Sequence, residues 1–199
     1  MRNPLLIQAA LAALLLAGPP LRAKADVITD WNLKAGDIVV ESRLGTPPAI
    51  RVMALVQTAV SDAVRSLRLP AGTAQPSLEA AVAAANRATL AKLIPAQQAS
   101  IDAAYHAALQ TIGDGPAKDA GIASGERAAA AVLAARANDG ASGSETYRPH
   151  TTAGMYVPTV TPAVSHWLQR KPWLMSSAAQ FRPAPPPALG SEAWARDYN

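Results

Sequence analysis

The stretch TPPAIRVMALVQTAVSDAVRSL, residues 46–67, decides the fold class of this 199-residue chain. Thr46 is a good N-cap, and Pro47 suits the first helical position, where its missing N–H sacrifices no hydrogen bond. The predicted helix carries an apolar stripe that consists of Ile50, Met53, Val60, Val64 and Leu67. Much of its remaining surface is also apolar, through Val52, Leu55, Val56 and Ala59. Because a helix that is apolar nearly all round is buried, we predict that this is the central helix.

Four further helices are predicted around it. The first contains Trp31 and ends at Gly45, and the third spans roughly Ser77 to Ile94, almost polyalanine in its first half. The fourth runs from about Pro95 to Ile112, and the fifth runs from Pro116 to about Asn138. The chain contains 46 alanines, and alanine has the highest helix propensity of all residues. We therefore predict an all-α fold, an alanine-rich helical bundle.

Small residues recur at every fourth position of the fifth predicted helix, at Ala117, Gly121, Gly125 and Ala129. Such a row lets two helix backbones approach closely. In a membrane this spacing indicates helix dimerisation. In an alanine-rich chain without another long apolar run, we expect packing between two helices of the same chain instead.

The composition divides the chain into four parts: a leader at 1–25, a helical domain at 26–138, a proline-rich segment at 139–189 and a final piece at 190–199. The third part predicts an extended arm, held on the helical domain by Trp167, Trp173 and Phe181. A flexible linker is the alternative, but linkers rarely contain so many aromatic residues. In the last part, Ser191 is the predicted N-cap of a further helix that is cut off in mid-element.

The leader has the pattern of a secretory signal peptide. Arg2 supplies positive charge, residues 5–17 are apolar except for Gln8, and Ala23-Lys24-Ala25 places small residues where a signal peptidase reads them. We predict cleavage before Asp26 and a secreted or periplasmic protein. An uncleaved N-terminal anchor is the alternative, although the apolar stretch is short for a membrane span.

Charge and composition exclude several classes of function. Without the leader, 15 basic residues face 14 acidic ones, so nothing favours a nucleic acid or an anionic membrane surface as partner. The chain has no cysteine, which excludes disulfides, zinc–cysteine sites, iron–sulfur clusters and a cysteine nucleophile. The sequence does not decide whether the chain forms a homo-oligomer.

The three histidines form no recognisable catalytic or metal motif. His106 lies four residues after Asp102, which could make a proton-transfer pair but more often makes a surface pair on a helix. His150 and His166 lie in the proline-rich segment, and no two histidines have the spacing of a helical metal site. We predict no catalytic, cofactor-binding or metal-binding residue.

Two other charged motifs predict structure and not chemistry. Asp62 and Arg65, three residues apart, predict a salt bridge on the helix surface. Gly113-Asp114-Gly115 begins like a dinucleotide-binding fingerprint, but it lacks the third glycine and follows a helix, so we predict a turn.

Several stretches together resemble the N-terminal half of secreted bacterial vanadium-dependent haloperoxidases of the type 2 phosphatidic acid phosphatase superfamily. The resembling pieces are Asp30-Trp31-Asn32, the helix 51–64, residues 114–121 with Gly125 and Glu126, Tyr147-Arg148-Pro149, QFRPAPPPAL at 180–189, Ser191, and Asp197-Tyr198-Asn199. They cover essentially all of residues 26–199, and the proline-rich stretch is the most specific piece.

The resemblance implies an all-helical fold and, in the full-length family, an oxyanion site that binds vanadate or phosphate. The family builds that site from Lys-x6-Arg-Pro, Pro-Ser-Gly-His and Ser-Arg-x6-His. None of the three is present, because Lys171 lies eleven residues before Arg182 and no histidine stands at the required place after Ser42-Arg43. The resemblance therefore transfers a family and a fold, but no catalytic residue.

Two hypotheses for the function follow. In the first, the chain is the N-terminal helical scaffold of a secreted haloperoxidase-like or acid-phosphatase-like protein, whose catalytic half is the missing partner. In the second, it is a stand-alone exported helical module that binds a partner without enzymatic activity. The interrupted final helix favours the first.

Overall fold

The computed structural model describes residues 26–68 and 75–198, so the predicted signal peptide lies outside the described residues. Six α-helices make up the regular structure: α1 Val27–Glu41, α2 Thr46–Ser66, α3 Leu78–Leu93, α4 Gln98–Gln110, α5 Pro116–Ala135 and α6 Glu192–Tyr198. Short 3₁₀ helices cover Pro95–Gln97 and Ser165–Gln169. Within the described residues there is no strand, which confirms the all-α prediction.

The helix starts follow from local chemistry. Asp26 caps α1, because its Oδ1 accepts a hydrogen bond of 2.8 Å from the Thr29 N–H. The N-cap of α2 is Gly45, not Thr46 as predicted. A capping side chain binds the N–H groups of the second and third helical residues, which are Pro47 and Pro48 here. Since neither proline has an N–H, a side-chain cap would find no donor, and glycine serves at this position.

The central helix is α3, and the prediction that residues 46–67 form it was wrong. Helix α3 packs against α1, α2, α4 and α5. Every residue from Ala80 to Asn86 is buried, so this helix is enclosed on all sides. The physical reason is size, because alanine lets neighbouring helices approach from every direction, whereas larger side chains hold them further away.

Helix α2 buries only part of the predicted stripe: Val60 and Leu67 are buried, and the other three stripe residues are not. Ile50 is 60% exposed, and Met53 and Val64 are only partly buried. The buried residues are Val52, Leu55, Val56, Ala59, Val60 and Ala63. This face contains two alanines, and it lies against α3 and α5.

The row of small residues in α5 packs within the chain, as predicted. A Cβ atom added to Gly125 would lie 2.7 Å from the Ala85 nitrogen and 2.8 Å from the Ala84 Cβ. One added to Gly121 would lie 3.0 Å from the Ala80 Cβ. Helices α3 and α5 therefore touch backbone to backbone, at a distance that only glycine allows.

Residues 140–191 contain no helix longer than the turn at Ser165–Gln169. Trp167 is partly buried, Trp173 is 47% exposed, and Phe181 is 77% exposed. The expectation that Phe181 anchors this segment was therefore wrong. The final helix begins as predicted, since Ser191 Oγ accepts a hydrogen bond of 3.2 Å from the Trp194 N–H. In the described part of the chain, no helix is both long and apolar enough to cross a membrane.

Candidate functional site

Asp139, just beyond the end of α5, is the centre of the most strongly charged cluster in the described chain. Its side chain is 1% exposed. Its Oδ2 lies 3.0 Å from Arg51 Nε, 3.3 Å from Arg136 Nε and 2.7 Å from Arg170 Nη2. Its Oδ1 accepts from Arg51 Nη2 at 3.3 Å and from the Ala141 N–H at 3.1 Å. One carboxylate thus joins three arginines, which come from α2, from the end of α5 and from the segment of residues 140–191.

Arg136 links residues 140–191 to the helices, because its side chain donates hydrogen bonds to backbone carbonyls of that segment. Its Nη1 donates to the Pro172 oxygen at 3.0 Å, and its Nη2 donates to the Lys171 oxygen at 2.6 Å. Its guanidinium lies 4.4 Å from the centre of the Trp173 ring. Arg170 makes a similar contact with Trp167, at 4.7 Å. Each of these cation–π contacts adds a modest stabilisation.

The electrostatics of the cluster keep Asp139 ionised. Burial raises the pKa of its carboxyl, but the hydrogen bond and charge of Arg51, the charge of Arg170 and the Ala141 N–H together lower that pKa below its usual value. Three cations share this one anion. The cluster therefore carries a surplus of positive charge at neutral pH.

Two clefts adjoin the cluster, and Arg51, Trp167 and Arg170 line both. The larger, of about 350 Å³, is bounded mainly by aromatic and apolar side chains with Arg136 and Lys171 among them. The smaller, of about 180 Å³, is bounded mainly by aliphatic side chains and by His166. No aspartate or glutamate lines either cleft.

His166 belongs to a second polar cluster, next to the smaller cleft. Its Nδ1 lies 2.8 Å from Glu145 Oε1. Glu145 Oε2 accepts from the Ser165 N–H at 2.9 Å and from the Ser165 hydroxyl at 2.5 Å. The Ser165 hydrogen bonds, ahead of the contact with His166, lower the pKa of Glu145. A carboxylate can only accept, so Nδ1 donates and the tautomer of this histidine is set by Glu145.

Two buried polar atoms have no hydrogen-bond partner within the described residues: Asn86 Oδ1 and His166 Nε2. Asn86 lies in α3, enclosed among helices, and its amide nitrogen donates to the Val82 oxygen at 2.9 Å. His166 Nε2 is covered by protein atoms although the ring lines the smaller cleft.

The other residues singled out from the sequence have structural surroundings. Asp102 is bonded by Arg87 Nε and by Gln98 Nε2, each at 2.7 Å, and the exposed His106 ring lies beside Tyr105. The Gln98 and Arg87 hydrogen bonds lower the pKa of Asp102. The structure therefore gives this aspartate an arginine partner, and brings neither His106 nor the exposed His150 to the arginine cluster.

Both predicted surface motifs are confirmed. Asp62 and Arg65 form an exposed ion pair of 3.6 Å. The segment around Asp114 is an irregular turn that leads into α5 through Gly115, whose φ of 142° is a conformation that favours glycine. Asp114 also pairs with Lys118 at 2.9 Å, and this partner lowers the pKa of the aspartate.

The residues present do not fit vanadate, the cofactor that the family resemblance implies. A vanadate site needs cations around the oxyanion and a histidine nitrogen free to reach the metal. Here the unpaired nitrogen of His166 is covered by protein, and neither His106 nor His150 lines the clefts beside the arginines. No group of three or more potential metal ligands occurs in the described residues.

The arginine cluster is the feature that sequence reasoning missed. Arg51 was recognised only as part of a resembling helix, and Asp139 only as the residue after a helix end. One signal was available: Arg51 is a cation amid the otherwise apolar residues 49–56 of α2, and a buried charge requires a partner. The partners lie 85 and more residues away, so no local pattern points to them.

Comparisons with family models, with curated proteins and with solved structures found no match for this chain.

Proposed function

We propose that this chain is the N-terminal helical scaffold of a secreted haloperoxidase-like or acid-phosphatase-like protein, and that it packs against a catalytic half not contained in these 199 residues. The support is the resemblance of residues 26–199, together with an all-α body that has its own core. In this proposal, vanadate or phosphate binds to the catalytic half, and residues 139–189 form an arm that joins the two parts.

The observation that carries the proposal is a surface. Exposed large apolar side chains are concentrated in the second half of the chain: Tyr156, Val160, Leu168, Leu174, Phe181 and Tyr198 are each at least 70% exposed. We call these six residues the apolar surface. A contiguous patch of exposed apolar side chains marks an interaction site, and in this proposal the six residues contribute to one such patch. A scaffold that supports a second half needs such a surface.

Co-expression tests the proposal. The DNA downstream of the Asn199 codon would be read for a frame that encodes the three anion motifs, and its product would be expressed with residues 26–199. We expect the two polypeptides to co-purify and to show peroxide-dependent bromination that requires vanadate. A downstream sequence without those motifs, or two polypeptides that neither associate nor brominate, would overturn the proposal.

A matched pair of variants locates the interface. Leu174→Asp places a charge in the apolar surface at a side chain that is 99% exposed, whereas Val40→Asp places one at a 77% exposed position of α1. We expect the first to abolish co-purification and the second to preserve it. Equal effects of the two variants would contradict the assignment of the interface.

Alone, the chain should have no haloperoxidase or phosphatase turnover. We expect equilibrium dialysis to show no saturable vanadate binding to residues 26–199, and the apolar surface to bind a hydrophobic dye. Stoichiometric vanadate binding with bromination would show a site in this chain, and His106, His150 and His166 would then be mutated first.

The second candidate is a stand-alone exported binding module, and the self-contained core of α1 to α5 favours it. The two candidates differ in the co-expression test: a stand-alone module should neither co-purify with the product of the downstream frame nor take part in bromination.

Export is part of both candidates. We propose cleavage before Asp26, on the pattern of the leader. N-terminal sequencing of secreted material should begin at Asp26, and an intact Met1 in the membrane fraction would contradict it.

A further inference from the structure

The larger cleft beside the arginine cluster is lined by four cations and no acid: Arg51, Arg136, Arg170 and Lys171. Within the described residues, the one carboxylate bonded to these arginines is Asp139, which is almost fully buried and does not line the cleft. The side chains of Arg51, Arg136 and Arg170 are only 18%, 8% and 11% exposed. Charges held this far from water are unfavourable unless they are paired. The cleft therefore favours an anion.

The guanidinium groups keep donors for such an anion. Arg136 uses three of its five N–H groups, because its Nε and both Nη atoms bond to Asp139 and to backbone oxygens. Arg51 uses Nε and Nη2, and Arg170 uses Nη2, in the contacts with described residues. Arg51 Nη1 and the Nε and Nη1 atoms of Arg170 are left over. Each of these N–H groups can donate a charge-assisted hydrogen bond to a carboxylate.

The rest of the wall is apolar, which decides the kind of anion. Trp167, Trp173, Met175, Ile50, Ala54 and Ala178 bound the cleft opposite and beside the cations. A bare oxyanion such as phosphate needs donors on all sides, and among these residues only the indole N–H groups of Trp167 and Trp173 can donate. An aromatic ring needs apolar and aromatic neighbours, and Trp173, with 47% of its surface exposed, provides one.

We propose that this cleft binds an aromatic monocarboxylate, with the carboxylate on Arg51 and Arg170 and the ring against Trp173 and Met175. The cleft volume of about 350 Å³ lies within the range of sites for small organic ligands. Lys171, exposed at the mouth, adds a further positive charge. This site is separate from the vanadate site of the proposed function, and it uses only residues of this chain.

Isothermal titration calorimetry of residues 26–199 with benzoate tests the proposal, with benzamide and inorganic phosphate as comparison ligands. Benzamide has the same ring without the charge, and phosphate has charge without a ring. We expect saturable 1:1 binding of benzoate, at least about tenfold tighter than either comparison ligand, because each lacks one of the two interactions. Equal binding of benzoate and benzamide, equal binding of benzoate and phosphate, or no saturable binding of benzoate would overturn it.

Variants assign the binding to this cleft. Lys171→Met removes a lining charge without touching Asp139, and Lys92→Met removes an exposed lysine on α3 as the matched control. We expect about threefold to tenfold weaker benzoate binding for the first and no change for the second. Ala54→Phe fills the cleft from α2 and should abolish binding. If circular dichroism shows that this variant is unfolded, Ala178→Phe, at an exposed position, replaces it. Undiminished binding in a folded filled variant would overturn the assignment.

Discussion

Asp139 holds together parts of the chain that are far apart in the sequence. Its side chain accepts hydrogen bonds from Arg51, Arg136 and Arg170. Its backbone carbonyl accepts a further hydrogen bond of 3.1 Å from the backbone N–H of Lys171. Removal of this carboxylate would leave three arginines near one another without their shared anion. We expect this loss of stability to weaken the attachment of residues 140–191 to the helical body.

Asp139→Ala should destabilise the protein by about 3–5 kcal/mol, because loss of one partner leaves buried charge uncompensated. Urea unfolding, followed by circular dichroism, measures the change. Asp62→Ala is the control, since the Asp62–Arg65 pair is exposed and should contribute less than about 1 kcal/mol. Similar losses for the two variants would contradict a special role for the buried cluster.

Acidification should reproduce this effect in the native protein. The pKa of Asp139 is lower in the folded chain than in the unfolded chain, so its ionisation stabilises the fold above the unfolded value of about 3.9. As pH falls through the lower, folded value, that contribution disappears.

The comparison of the native protein with Asp139→Asn isolates this residue, because Asp26, Asp102, Asp114 and Glu145 have lowered pKa values in both proteins. We expect a constant difference in unfolding free energy above about pH 5 and a narrowing difference below about pH 4. A difference independent of pH down to about pH 2 would contradict an ionised Asp139.

At the scale of elements, the contact between α3 and α5 is the closest helix packing described here. It depends on Gly121 and Gly125, which face the backbone of residues 77–85. The serine pair Ser66–Ser124, with oxygens 2.5 Å apart, links α5 to the end of α2. Close packing of this kind compensates for the small area that each alanine buries.

Gly125→Ala should destabilise the protein by about 1–3 kcal/mol, because the new Cβ atom would meet the backbone nitrogen of Ala85, which cannot move aside alone. Gly36→Ala is the matched control. Gly36 is also helical, but a Cβ atom there has nothing within 4 Å, so the substitution should stabilise α1 by about 0.5–1 kcal/mol. Thermal unfolding of both variants measures the opposite signs, and the same sign for both would contradict the packing described.

At the scale of the whole molecule, a tightly packed helical body carries a long segment with little regular structure. The body has a continuous core from Trp31 in α1 to Val132 in α5. The segment is held mainly at Asp139, Arg170 and Arg136, while large side chains on either side of that attachment are exposed.

Chymotrypsin should therefore cut the segment first. Tyr156, Leu174 and Phe181 are 78%, 99% and 77% exposed in backbone without helix, whereas Leu55 and Leu90 are fully buried inside helices. Mass spectrometry of a time course should show a helical fragment that ends within residues 156–181. Early cuts after Leu55 or Leu90 would contradict this order of stability.

The helices could be predicted from the sequence, because their signals are local. Alanine content, the Pro47 and Pro116 starts and the Ser191 cap act within a few residues. The inward face of α2, the central place of α3 and the Arg51–Asp139 contact were decided only by the tertiary structure. Each depends on which helices approach and how closely, and on partners up to 88 residues apart. The sequence of α2 is apolar on most of its surface, and packing against α3 and α5 determined that Ile50 is exposed and that Met53 and Val64 are only partly buried.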